Sequence, residues 1–172
     1  FRADGDDINI ENRFEMQLPY LLSGYDVVGS SIDEYDEDGK YITSKELPLS
    51  NEEIKRLVPF RNPINHMTVG YLKKSVLEVD GYPELFLKGD YGLWIKLLSK
   101  NKKFINLEQQ LVKVTAGSRM IRDRGGLRYI YSEFLLQKFL LEFKLTNILN
   151  ASIVFMSRTL IFSMPAIFRT YI

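Results

Sequence analysis

Three observations on this 172-residue chain predict an α/β fold. Helical and strand patterns alternate along it instead of forming separate blocks. Apolar residues make up 45% and charged residues 26%, values of a globular domain with a real core and not of a disordered chain. Turn signals at Gly24, Asp38-Gly39 and Asp80-Gly81 cut the patterns into segments that suit one domain or most of one.

In chain order, an acidic turn at residues 4–7 leads into a helix over Glu11–Leu22, with Phe14, Leu18, Leu21 and Leu22 as its apolar stripe and Gly24 as its stop. Asp26–Ile32 reads as a strand, and Asp38-Gly39 as a two-residue hairpin turn into Lys40–Lys45. Ser50-Asn51-Glu52-Glu53 has the capping-box pattern and opens a short helix to Val58. Arg61–Val69 reads as a polar, proline-marked entry into a buried strand, and Lys73–Val79 as a short helix.

Leu93, Trp94, Leu97 and Leu98 form the stripe of a further helix, with Asp90 in its first turn between Gly89 and Gly92. An acid there is favoured by the helix dipole, which accounts for Asp90 without any function. The two glycines either admit a ligand or merely loosen the helix start. Phe104–Leu107 and Leu111–Val114 read as two short strands. A basic loop with Arg119, Arg122 and Arg124 runs into Gly125-Gly126, then a long helix over Leu127–Leu145 and an apolar stretch over Asn147–Ile172. The longest uncharged run in that region, Leu145–Ser157, is shorter than the roughly 20 residues that cross a bilayer, so it reads as an interfacial or packing helix.

Composition excludes several chemistries. Without cysteine there is no disulfide framework or thiolate metal site, and one histidine excludes a multi-histidine centre. Residues 1–60 carry 14 acidic and 6 basic side chains, whereas residues 61–172 carry 8 and 17. An acidic half and a basic half suit a metal together with an anionic ligand, and equally suit attraction between the halves. The positive charges are spread over turns and helix faces without a nucleic-acid motif, which disfavours a nucleic-acid-binding module. The chain shows no signal-peptide pattern and opens on Phe1 in what reads as mid-strand, as a fragment would.

Asp4-Gly5-Asp6-Asp7 places three carboxylates around one glycine. Like charges this close raise each other's pKa unless a cation neutralises them. Mg²⁺ or Mn²⁺ suits oxygen ligands, and Mg²⁺ commonly takes one or two carboxylates and leaves its other positions to substrate phosphates. A solvated acidic turn accounts for the same residues. An EF-hand does not, because Ile8 and Asn9 occupy a ligand position and the required glycine position. His66 is flanked by Asn62, Asn65 and Thr68, polar company for a side chain that is more often structural than catalytic. Arginines beside a glycine pair suit phosphate, since the guanidinium fork matches its oxygens.

Together these stretches resemble the family 2 glycosyltransferases of GT-A fold, notably bacterial enzymes of capsular and O-antigen polysaccharide synthesis. Asp4-Gly5-Asp6 resembles the family's DxD motif, and Asp7-Ile8 with Asn12–Gln17 resembles the family's segment on the C-terminal side of that motif. Asn62–Val69, Gly81-Tyr82-Pro83, Asp90-Tyr91 with Leu93-Trp94, and Arg124-Gly125-Gly126 with Tyr129 resemble further family stretches in collinear order. The chain departs from the family in having Gly89 before Asp90, where an acid is usual, and in lacking the nucleotide-binding half before DxD.

The resemblance implies the C-terminal part of a GT-A fold with a mixed sheet, followed by C-terminal helices. Residues 1–118 would be a partial catalytic domain and residues 119–172 a basic loop and helical region. It implies inverting transfer of a sugar from a nucleotide-diphosphate donor to a saccharide or lipid-diphosphate-linked acceptor. Asp4 and Asp6 would hold Mg²⁺ or Mn²⁺, which stabilises the leaving diphosphate, and Asp90 would be the general base for the acceptor hydroxyl. Asp7, Asn62, Asn65, His66, Tyr91, Trp94, Arg122 and Arg124 would line the substrates. The expected location is cytoplasmic, peripheral on the inner face of a bacterial membrane and touching it through the C-terminal helices. The alternative is an inactive truncated fragment or non-catalytic remnant of such an enzyme.

Overall fold

A computed structural model describes residues 1–116 and 125–165. Among these, the chain forms an α/β structure with a five-stranded mixed sheet and six helices. The strands are β1 (Ile8–Asn9), β2 (Val27–Tyr35), β3 (Tyr41–Lys45), β4 (Gly70–Tyr71) and β5 (Phe104–Thr115). The helices are α1 (Arg13–Leu22), α2 (Asn51–Leu57), α3 (Lys73–Leu77), α4 (Gly89–Ser99), α5 (Leu127–Glu142) and α6 (Ile148–Ser163), with a 3-10 turn at His66–Thr68.

The sheet order is β1-β5-β2-β3, and β4 also pairs with β2. The central pair, β2 and β5, is parallel; β1, β3 and β4 all pair antiparallel. Pleating sends Val27 and Val28 to opposite faces of the sheet. Val27 and Phe104 join the main core with Ile54 of α2 and Val58 just after it, Trp94 and Leu97 of α4, and Leu136 and Leu140 of α5. Val28 packs with Leu21 of α1, Leu107 and Leu111 on the other face. Helices therefore cover both sides of the sheet, and α5 belongs to the same core as α4.

Several elements match expectation for the reasons given. Ser50 accepts from the Glu53 amide while the Glu53 carboxylate accepts from the Ser50 amide, completing the capping box. The β2–β3 hairpin forms at the expected place, but its loop is residues 36–40 and not a two-residue turn, with Asp36 Oδ1 accepting from the Asp38 and Lys40 amides. Asn147, not read as a cap from the sequence, caps α6 by accepting from the Asn150 amide at 2.9 Å.

Others differ. The expected apolar stripe of α1 is largely exposed: Phe14, Leu18 and Leu22 face outward, and the helix buries Arg13, Gln17 and Leu21. Gln17 Nε2 donates to Val28 O and Thr68 O, so hydrogen bonds rather than apolar contact choose that face. The two strands expected over Phe104–Val114 are one long strand, whose pairing with β2 is irregular around Ser31. The stretch expected to enter a buried strand forms instead the 3-10 turn and the two-residue β4. Gly92 serves packing and not a ligand, because a Cβ there would lie 2.5 Å from Pro83 Cγ.

Candidate active site

The acidic turn is held at the edge of the sheet by α1. The Arg2 amide donates to Val69 O at 2.9 Å, and the buried Arg13 guanidinium donates to Arg2 O at 2.9 Å. Arg13 also bonds the side chains of Gln17 and Asn9. Arg13 and Gln17 thus fasten residues 1–9 to the His66–Gly70 segment. The sequence singled out neither for a role. Their spacing, one helical turn apart on a helix otherwise rich in apolar residues, was the available signal.

Within the turn, the Asp7 amide donates to Asp4 O, and Asp4 pairs with Arg2 at 2.8 Å. Asp6 is exposed. Burial, then the Asp6 and Asp4 carboxylates, push the Asp7 carboxyl up to about 6, and Arg13 only partly opposes them. Burial is thus the main influence on the Asp7 carboxyl, and its two neighbouring carboxylates add to it. Among the described residues no group of three or more His, Asp or Glu side chains could hold a metal ion. The donor set here is therefore at most two carboxylates, Asp4 being also paired with Arg2, and an ion held by it would take most of its shell from other oxygens, such as those of a phosphate.

His66 packs between Tyr82 and Trp94. Its Nε2 shares a hydrogen bond of 2.8 Å with the Tyr82 hydroxyl, and its ring stands edge-on to Trp94. Burial and then Arg2 hold the imidazole below its ordinary value, while Asp90 and Asp4 pull the other way. Asp4 and Asp90 are thus both within electrostatic reach of His66, although 86 residues separate them in the chain.

Asp90 sits in the first turn of α4, half-buried, and accepts a hydrogen bond of 2.8 Å from Asn62 Nδ2. Asn62 Oδ1 also accepts from the Ile64 amide, so the loop before the 3-10 turn fixes the amide that orients the acid. Both residues line a cavity of about 340 Å³ between the 60–62 loop, the start of α4 and the α5–α6 pair.

The remaining expected substrate residues are distributed unevenly. Tyr91 touches the cavity wall but is almost fully buried, its hydroxyl donating to Val58 O. Asn65 is buried and donates to Ser30 O. Trp94 is fully buried against Phe104 and presents no surface to a sugar, so it is a core residue and not a substrate wall. Arg122 and Arg124 lie outside the described residues.

No protein-family model matches the chain. Curated relatives do. The chain is 39% identical over 166 residues to the amylovoran biosynthesis glycosyltransferase AmsE of Erwinia amylovora, covering 95% of this chain and 62% of that protein. It is 32% identical over 174 residues to the UDP-Gal:alpha-D-GlcNAc-diphosphoundecaprenol beta-1,3-galactosyltransferase of Escherichia coli, covering 99% and 63%. It is 29% identical over 152 residues to the O-antigen biosynthesis glycosyltransferase WbnJ of Escherichia coli, covering 87% and 59%. The chain spans about three fifths of the length of these relatives. Over nearly its whole length, then, this chain is a homologue of bacterial glycosyltransferases of amylovoran and O-antigen biosynthesis.

Proposed function

We propose that the chain is the metal- and acceptor-side part of an inverting glycosyltransferase of GT-A fold, which moves a sugar from a nucleotide-diphosphate donor onto a bacterial surface polysaccharide or its lipid-linked precursor. The observation that carries this reading is the placement of Asp90. It is a half-buried carboxylate, oriented by Asn62, at the wall of a cavity large enough for a sugar.

In this reading the acceptor hydroxyl donates its proton to the Asp90 carboxylate as its oxygen attacks the anomeric carbon. One carboxylate suffices, because the donor already carries a good leaving group; a glycoside hydrolase needs two. Asn62 holds one carboxylate oxygen so that the other is aimed at the acceptor. Arg13 and Gln17 hold the acidic turn in place. A divalent ion on Asp4 and Asp6 would supply Lewis-acid stabilisation of the departing diphosphate, and the three carboxylates gathered in residues 4–7 support its binding there.

Among the described residues no helix is long and apolar enough to cross a membrane. Helix α6 nevertheless exposes Ile148, Leu149, Ile153, Met156 and Leu160 and contains no acidic residue. That face supports peripheral contact with the inner face of the membrane through the C-terminal helices.

The test is transfer by the full-length protein from a panel of nucleotide sugars to a polyprenyl-diphosphate sugar, with Mg²⁺ or Mn²⁺ and with chelator. Product should require the ion and should fall about 100-fold or more in Asp90→Asn. Turnover unchanged by Asp90→Asn would overturn the assignment of the base. Undiminished transfer in chelator would overturn the metal.

A further inference from the structure

We infer that the cavity beside Asp90 is a diphosphate subsite for the acceptor, with Arg61 and Arg158 as its anion-binding residues. The inference rests on the proposed transferase reading and deepens it.

Arg61, Arg158 and Asp90 line one cavity together with the apolar side chains of Phe60, Leu87 and Phe162. Neither arginine has an acidic partner among the described residues; Arg158 spends one N–H on Phe60 O at 3.3 Å. Lys88 and Glu133, which also line the cavity, form an ion pair at 3.8 Å and largely cancel. The walls therefore offer two guanidinium groups, one oriented carboxylate and an apolar side. Guanidinium forks match phosphate oxygens in pairs. A carboxylate alone would repel a phosphate, so the anion belongs at the arginine end and the hydroxyl to be deprotonated at the Asp90 end. The apolar residues suit the first isoprene units of a lipid, and the exposed apolar face of α6 continues on the helix that carries Arg158.

A diphosphate could come from the donor or from the acceptor. None of residues 4–7 lines this cavity, whereas Asp90 does. The acceptor is therefore the source the geometry favours.

Equilibrium binding of farnesyl diphosphate, farnesol and uridine diphosphate to the full-length protein separates the cases. Arg61→Gln and Arg158→Gln should each weaken farnesyl diphosphate about tenfold and leave farnesol and uridine diphosphate unchanged. Arg158→Lys should recover part of the loss, and urea midpoints should show that the variants remain folded. Wild-type affinity for farnesyl diphosphate in folded variants, or an equal loss of uridine diphosphate binding, would overturn the inference. So would the absence of any preference of the wild type for farnesyl diphosphate over farnesol. Because the readout is binding, it remains informative even if no sugar transfer is found, which would count against the proposed function instead.

Discussion

Asn62 Nδ2 donates to Asp90 Oδ2 at 2.8 Å, joining the loop after α2 to the first turn of α4 across 28 residues of sequence. This bond selects one orientation of the only acid in that turn. Asn62→Ala should lower kcat about 10-fold while leaving the donor KM within about twofold, because an orienting bond acts chiefly when the proton moves. Kinetics at saturating donor check this. A rise in donor KM with unchanged kcat would assign Asn62 to donor binding instead.

The His66 environment carries a pH dependence of stability. Burial and Arg2 lower its pKa from the ordinary value of 6.5, so the unfolded chain takes up a proton before the folded one does. The stabilisation is complete above the unfolded value and is lost as pH falls below it. His66→Gln should keep a hydrogen bond to Tyr82 and remove this slope. Between about pH 7.5 and about pH 5.5 the urea midpoint of the wild type should fall relative to that of the variant, since the raised Asp7 carboxyl, which favours the fold as pH falls, acts equally in both. Parallel changes in the two proteins would contradict the effect.

Gly92 and Gly89 make a paired test of the α4 start. At Gly92 a Cβ would meet Pro83 Cγ at 2.5 Å and Leu85 Cδ2 at 3.3 Å. The rigid proline cannot turn aside, so Gly92→Ala should destabilise by about 1–3 kcal/mol despite its gain in helix propensity. At Gly89 the nearest atom is Pro83 O at 3.7 Å, and Gly89→Ala should be neutral or slightly stabilising. Chemical denaturation of both variants reads the contrast.

Gln17 is fully buried and donates to two carbonyls, Val28 O at 3.1 Å and Thr68 O at 2.8 Å. Gln17→Leu keeps the volume and orphans both acceptors, at a cost of about 1–3 kcal/mol for each carbonyl left dry. Because Gln17 also supports Arg13, hydrogen exchange at the Arg2 amide should speed up with it. A stable variant with unchanged exchange would show that water replaces the side chain.

By itself the sequence determined the features whose physics is local. The capping box at Ser50–Glu53, the Asp38-Gly39 hairpin, the positive-φ stop at Asp80-Gly81 and the placement of Asp90 in a helical first turn depend on residues a few positions apart. The three carboxylates of residues 4–7 were legible for the same reason, and the collinear likeness to glycosyltransferases added the direction of the chemistry. Tertiary structure decided the rest, because burial is a competition among distant groups. Periodicity assigned Phe14, Leu18 and Leu22 to the inner face of α1, but the carbonyls of Val28 and Thr68 required a donor, and Gln17 supplied it. Gly92 was ambiguous until Pro83 arrived against it. Nothing in the local sequence of Asn62, Arg61 or Arg158 connects them to Asp90. They meet because α5 and α6 pack on the face of the sheet that carries α4, and that packing is set by the long-range burial of Leu136 and Leu140 against a core built from Trp94, Leu97 and Phe104.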